Sequence, residues 1–272
     1  MGDRERSVTE RIEREELARG HIAPGERPVR PQPASTIVLA REPATGPFEV
    51  LLLRRPSEAR FAAGAYVFPG GKIDEADSDP ELIRRLGRSA AGAEPEALAA
   101  ALRELFEETG LLLADTTPDA AALAEARAAL LAGESDFRTV AHDLDVGFDS
   151  VRSAYFGRWI TPERFSRRYD TRFFITRLPD DRAEFEPDLT EELADFNWLS
   201  PSVAVQAFIE GRLPMLFPTR TTLGQLAAYE SLDALYEACR RKKVEPVTPR
   251  LLIRGDSVRP VLPGDPDWDA AV

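Results

Sequence analysis

Three glutamates in the stretch Arg103-Glu104-Leu105-Phe106-Glu107-Glu108-Thr109-Gly110 are spaced i, i+3 and i+4. On a helix that spacing puts all three carboxylates on one face, where like charges repel and cost stability. A divalent cation removes the cost. Mg2+ in particular favours carboxylate oxygens, with water and substrate phosphate completing its shell. Taken alone, the pattern reads first as a solvated acidic helix face. A second piece lies upstream in Phe68-Pro69-Gly70-Gly71-Lys72. Two glycines permit a tight turn and close backbone approach, so this loop could set a backbone carbonyl beside the three carboxylates. Taken alone, it reads as a simple turn after a strand at 65–68.

The elements that must hold these pieces are readable from pattern and punctuation. A helix is expected over 96–109, entered through Pro95 and stopped by Gly110. Strands are expected at 35–40 and 48–55. The turn cluster from Pro43 to Pro47 between them marks a hairpin. Further on, helices are expected over 118–131, 201–211 and 222–241, and strands over 172–178 and 193–199. Strands and helices mix without the regular alternation of a doubly wound sheet, which points to an α+β class. Residues 1–33 are polar and end in a proline-rich stretch, so they read as an arm or linker ahead of one domain spanning 34–272.

Bulk composition narrows the chemistry. The formal net charge is −12, with 35 Lys and Arg against 47 Asp and Glu. Such a surface repels nucleic-acid backbones and anionic membranes at long range, so neither is an expected partner. It equally repels a polyanionic substrate, so a phosphate site needs local compensation by metal or arginine. The single cysteine, Cys239, cannot form an internal disulfide, which suits a reducing cytoplasm. Cys239 sits in a helical-looking stretch and reads as a packed small residue. The histidines, His21 and His142, lack metal-ligand spacing, so zinc chemistry is not expected. No apolar run reaches the roughly 20 residues of a membrane span. The charged N-terminus lacks the apolar core of a signal peptide, and the last residues are not a peroxisomal address.

Together the glycine loop and the acidic helix resemble the box of the Nudix hydrolases, G-x5-E-x7-R-E-x2-E-E-x-G. Gly71, Arg103-Glu104, Glu107-Glu108 and Gly110 match it, with apolar Leu105 and Leu111 in place. The sixth position after Gly71 is Asp77 rather than glutamate. Arg103 lies 26 residues beyond Asp77, where the usual box has 8, so eighteen extra residues enlarge the loop (an insertion at about 78–95). Leu51-Leu-Leu-Arg-Arg-Pro-Ser57, Arg60, Gly64 and Phe68-Pro-Gly-Gly-Lys-Ile-Asp74 are similar to the segment marking coenzyme A diphosphatases. The insertion, Arg168-Tyr-Asp-Thr-Arg-Phe-Phe174, Trp198-Leu-Ser-Pro201 and Leu262-Pro-Gly-Asp265 are similar to the peroxisomal-type acyl-CoA branch.

The resemblance implies a mixed β-sheet sandwiched between α-helices. It implies Mg2+ or Mn2+ held by Glu104, Glu107, Glu108 and the carbonyl of Gly70. It assigns Glu104 to the attacking water and Arg103 to holding a box glutamate. It also implies a late-half acid, for which Glu191 and Glu192 are the candidates, although an exposed pair at the entry of a strand is the leading reading of them. Gly71, with Arg55 and Arg60, whose guanidinium forks suit phosphate, is the candidate substrate side. For Arg60 a phosphate contact and an ordinary surface arginine are equally open readings. For Arg54 the surface reading leads. The implied reaction is hydrolysis of CoA or acyl-CoA to 3′,5′-ADP and (acyl-)4′-phosphopantetheine. ADP-ribose or NADH, and a non-catalytic binding module, are the alternatives. The intact helix glutamates argue against the last, and a homodimer is compatible with all three. The insertion is expected at the rim of the site, because it leads directly into the acidic helix.

Overall fold

The computed structural model describes residues 27–59, 62–87, 94–148, 151–255 and 257–272. Residues 1–26 of the expected arm, Arg60, and residues 88–93 of the insertion lie outside the described residues. The elements run β1 (Gln32–Arg41), β2 (Glu49–Arg54), β3 (Tyr66–Val67), β4 (Gly70–Lys72), a 3-10 turn (Glu75–Ser78), α1 (Pro80–Leu86), α2 (Pro95–Thr109), α3 (Ala120–Leu131), α4 (Phe137–Asp143), β5 (Ser153–Ile160) and β6 (Tyr169–Arg177). They continue with β7 (Asp195–Leu199), α5 (Pro201–Ile209), α6 (Phe217–Leu226), α7 (Leu232–Arg241), β8 (Pro246–Val247), β9 (Arg250–Arg254) and β10 (Ser257–Val261).

Eight strands form one mixed sheet in the order β3-β2-β1-β6-β5-β8, with β4 on β1 and β7 on β2; β9 and β10 pair separately. The β1–β2 hairpin forms as expected, antiparallel with Ala40 opposite Val50. β1 is long enough to serve two neighbours on one edge. Its end pairs with β2, and its start pairs with β4, Thr36 lying opposite Gly70. Its other edge runs parallel to β6 from Gln32↔Tyr169 to Ala40↔Arg177. Both sheet faces are covered, which explains why β1 and β2 read as unbroken apolar runs. Ile37, Leu39, Leu51, Leu53 and Phe174 turn to one core with α1 to α4. Val38, Ala40, Val50, Leu52, Phe173 and Ile175 turn to the other with α5 to α7. The alternation is the two-residue period of a strand, and the result is the expected α/β/α sandwich.

Several sequence expectations need correction. The helix expected over 222–241 is two helices. Ser231 accepts a hydrogen bond from the Ala234 N–H at 3.2 Å and starts α7 afresh, as a serine cap does. The strand β5 and the β9–β10 hairpin were not anticipated. The described start of the insertion, residues 78–87, packs as core rather than as a rim. Leu82 and Leu86 of α1 are fully buried in the core against α2, and the N–H of Phe148 donates to the Arg85 carbonyl at 2.9 Å. Cys239 packs half-buried in α7, and burial raises its thiol pKa, the opposite of nucleophile activation. Among the described residues no helix is long and apolar enough to cross a membrane.

Candidate active site

The acidic helix is α2, and it is pinned at both ends. At its start the Glu94 carboxylate bonds Arg158 (3.5 Å) and Arg172 (2.5 Å) on β5 and β6. At its end Gly110 takes a left-handed conformation, φ +75°, and its N–H donates to the Phe106 carbonyl. A side chain there would also meet the Arg127 guanidinium at 3.1 Å. Arg127, buried on α3, donates from Nε and Nη2 to the Glu107 carbonyl and from Nη1 to the Asp188 carboxylate at 2.7 Å. This ties the C-terminus of α2 to the loop carrying Glu191 and Glu192.

Arg103 organises the acidic face. Its Nε and Nη2 donate to Oδ1 and Oδ2 of Asp77 at 3.0 and 3.1 Å, and its Nη2 also donates to the Lys72 carbonyl at 2.8 Å. Its Nη1 reaches Glu104 (2.9 Å) and Glu107 (3.1 Å). One guanidinium thus contacts two of the helix glutamates at once. Asp77, wholly buried, also accepts from the Asp74 N–H at 2.8 Å. It supplies the carboxylate that anchors the arginine. Sequence reading missed this partner because the insertion separates the two by 26 positions.

The glycine loop sits against the same face. A Cβ on Gly71 would lie 2.2 Å from a Glu104 oxygen, and one on Gly70 would lie 2.5 Å from the Ser35 carbonyl oxygen. Backbone atoms bar any side chain at Gly70, φ +157°, whereas a side chain at Gly71 would displace the Glu104 carboxylate. The Gly70 N–H donates to Glu108 Oε2 at 3.3 Å.

Burial pushes the Glu104 carboxyl up to about 7, and the neighbouring Glu107 charge adds to this against the opposing pull of Arg103. Burial and then the Glu104 charge push Glu108 well up, and the charge of Glu192 adds to it. The Gly70 N–H and Arg55 oppose. Glu107 is raised by burial. Among the described residues no three acidic, histidine or cysteine side chains stand together as a ready-made metal cage. Arg103 draws Glu104 and Glu107 to itself, while Glu108 turns to the Gly70 N–H. The donor set still fits a hard divalent cation. All donors are oxygens, and burial raises the pKa of all three helix carboxyls, a penalty on their charge that a bound cation would offset.

One cavity of about 1010 Å3 opens from this face. Glu108, Gly70, Gly71, Lys72 and Arg55 line its near end. Further out it is lined by Trp159, Phe165, Phe173 and Phe217, with Trp159 and Phe217 edge to face at 5.9 Å. Arg167 joins the lining from the loop between β5 and β6, a cation that sequence reading did not single out. Arg54 instead stacks on Tyr66. The family-marking residues outside the box hold structure. Arg168 donates to the Val29 and Thr161 carbonyls, Trp198 stacks under Arg41 at 4.3 Å, and Asp265 pairs with Arg259.

An acidic helix, a glycine loop and an arginine clamp thus meet, with Glu108 and the glycines reaching the cavity, as in the box they resemble, and the profile of the NUDT19 Nudix domain matches residues 88–225. The chain belongs to this Nudix family. It is by that membership a Nudix pyrophosphohydrolase. It is 29% identical over 286 residues to the acyl-coenzyme A diphosphatase NUDT19 of Homo sapiens, across 86% of this chain and 76% of that protein. It is 27% identical to the protein of the same name in Gallus gallus, across 80% and 72%. Among solved structures, the NUDIX hydrolase from Alicyclobacillus acidocaldarius superimposes with a TM-score of 0.66 at 29% identity, over 77% of this chain and 96% of that one. The Nudix profile begins after the glycine loop and Asp77, which the fold brings back to the matched helix.

Proposed function

We propose that this Nudix enzyme hydrolyses the pyrophosphate bond of coenzyme A or an acyl-CoA, giving 3′,5′-ADP and (acyl-)4′-phosphopantetheine, and that it does so with Mg2+ or Mn2+. The observation that carries the reading is the continuity of the acidic face with a long cavity. Glu108 and the Gly70-Gly71 loop lie at one end, and an apolar, aromatic wall continues beyond them. A CoA-type substrate has that division, anionic at the anhydride and less polar along its pantetheine arm. The names of the NUDT19 relatives support the same class.

Glu104, Glu107, Glu108 and the Gly70 carbonyl would hold the cation. A bound divalent ion neutralises phosphate oxygens and lowers the pKa of its water. Glu104, wedged against Gly71, orients the attacking water towards phosphorus. The new P–O bond forms from that water as the bridging P–O bond breaks. Arg103 keeps Glu104 and Glu107 in place and stays off the substrate. Glu192, whose charge Glu108 already feels, is the better candidate for the late-half acid. Arg55 and Gly71, which line the cavity, would form its substrate side. The test is a panel of CoA, acyl-CoAs, ADP-ribose, NADH and diadenosine polyphosphates with either metal, with products identified by mass. CoA substrates should lead in kcat/KM and release 3′,5′-ADP. Faster cleavage of ADP-ribose or NADH would overturn the assignment.

A further inference from the structure

We propose that the C-terminal β9–β10 hairpin supplies a binding subsite for a hydrocarbon chain carried at the far end of the substrate. The proposal rests on the CoA-type reading above and adds to it where the chain binds and which residues set its length. The family match ends at residue 225, so the hairpin lies outside it.

The register makes the hairpin two-faced. Val258 pairs with Ile253, and Pro260 with Leu251. Directly opposed residues and those two apart share a face, so Leu251, Ile253, Val258 and Pro260 form one apolar side. Leu251, Val258 and Pro260 of that side line the cavity. The other side is spoken for. Leu252 and Val261 pack with Trp268 and Ala271, Arg250 stacks on Trp268, and Arg254 and Arg259 pair with Asp267. An apolar face turned towards a cavity that also holds the reaction centre is suited to a ligand that continues from that centre. Among the described residues the hairpin brings no charged side chain to the lining. The cavity's charged groups come from β4, α2, the segment after β2, and the loop between β5 and β6.

Distance agrees. Lys72, Ala34, Thr171 and Trp159 are register partners in one row across four strands. Three strand spacings separate the glycine loop from Trp159, about 14 Å. A pantetheine arm runs through about twelve bonds from phosphate oxygen to sulfur, the length of a peptide of about four units, so extended it spans about 13–14 Å. Its sulfur end, anchored by the pyrophosphate at the acidic face, arrives beside Trp159. A chain esterified there passes next to the hairpin. Ile253, 41% exposed, extends the apolar face beyond the cavity.

The experiment compares kcat/KM for free CoA, hexanoyl-CoA, decanoyl-CoA and palmitoyl-CoA in the wild type, Val258→Asp and Ile253→Asp. In the wild type each methylene should raise kcat/KM by about two- to fourfold until the groove is filled. Val258→Asp should cut the decanoyl-to-free-CoA ratio at least tenfold. Ile253→Asp, at an exposed position that tolerates charge without unfolding, should cut only the longest chain's advantage. A flat chain-length profile in the wild type, or equal losses on free and acylated CoA in both variants, overturns the subsite while leaving CoA hydrolysis standing. Absence of turnover on free CoA and every acyl-CoA, with ADP-ribose cleaved, overturns the CoA reading and the subsite together.

Discussion

Arg103 and Asp77, 26 positions apart, face each other as a two-pronged pair with Nε–Oδ1 at 3.0 Å and Nη2–Oδ2 at 3.1 Å. The pair closes the loop between glycine turn and acidic helix, and it sets where Arg103 can hold Glu104 and Glu107. Removing one member of a buried pair costs about 3–5 kcal/mol when the other's charge is stranded. Arg103 keeps Glu104, Glu107 and the Lys72 carbonyl, so Asp77→Ala should lower unfolding stability in urea by less than that, about 1–3 kcal/mol for the lost hydrogen bonds. Arg103→Lys, without a planar fork, should keep part of the stability but lose most of kcat. Wild-type stability in Asp77→Ala would show that the pair is dispensable.

The three helix glutamates should respond differently to neutralisation. Glu108→Gln removes a buried charge opposed by Glu104 and Glu192, so the metal-free protein should melt at the same or a higher temperature. Glu107→Gln weakens the contact with Arg103 Nη1, so its melting temperature should hold or fall. Both should lose turnover by a hundredfold or more at saturating Mg2+, the loss expected when a group that stabilises developing charge is removed. A variant with the wild-type rate would remove that residue from the metal site.

Stability should depend on pH in a direction set by the raised carboxyls. Glu104 titrates near 7 in the folded protein against an ordinary value of 4.5. Its protonated form favours the fold, so this contribution is full below pH 4.5 and is lost as pH rises through 7, on the order of 3 kcal/mol. Glu108, Glu107 and Asp77 shift in the same sense. Protein freed of divalent ions by chelation should melt lower at pH 8 than at pH 5.5. Added Mg2+ should raise the melting temperature more at pH 8, where the carboxylates are ionised. Equal metal stabilisation at both pH values would contradict the assignment of these carboxyls as its ligands.

The first helix of the insertion should behave as core. Leu82 is fully buried in the cluster that contains Leu98 and Phe106 of α2. Leu82→Ala should cost about 2–5 kcal/mol in denaturant unfolding. Deleting α1 should prevent folding rather than change substrate preference. A folded deletion variant with altered preference would return the insertion to the rim of the site.

The sequence by itself determined the local elements and the chemistry-bearing face. The i, i+3, i+4 spacing of Glu104, Glu107 and Glu108, the stop at Gly110 and the alternating faces of β1 and β2 follow from helix and strand periods, which act over a few residues. The need for glycine at 70 and 71 was visible as a turn. Its reason, the nearness of Glu104 and the Ser35 carbonyl, was not. Only the tertiary structure decided that Asp77 returns to Arg103, that Arg127 reaches 61 positions along to Asp188, and that the β9–β10 hairpin walls the cavity of a helix more than 140 residues earlier. These contacts join groups whose separation along the chain carries no period to read. They form because burying both sheet faces fixes the strand order, and the strand order brings the distant groups together.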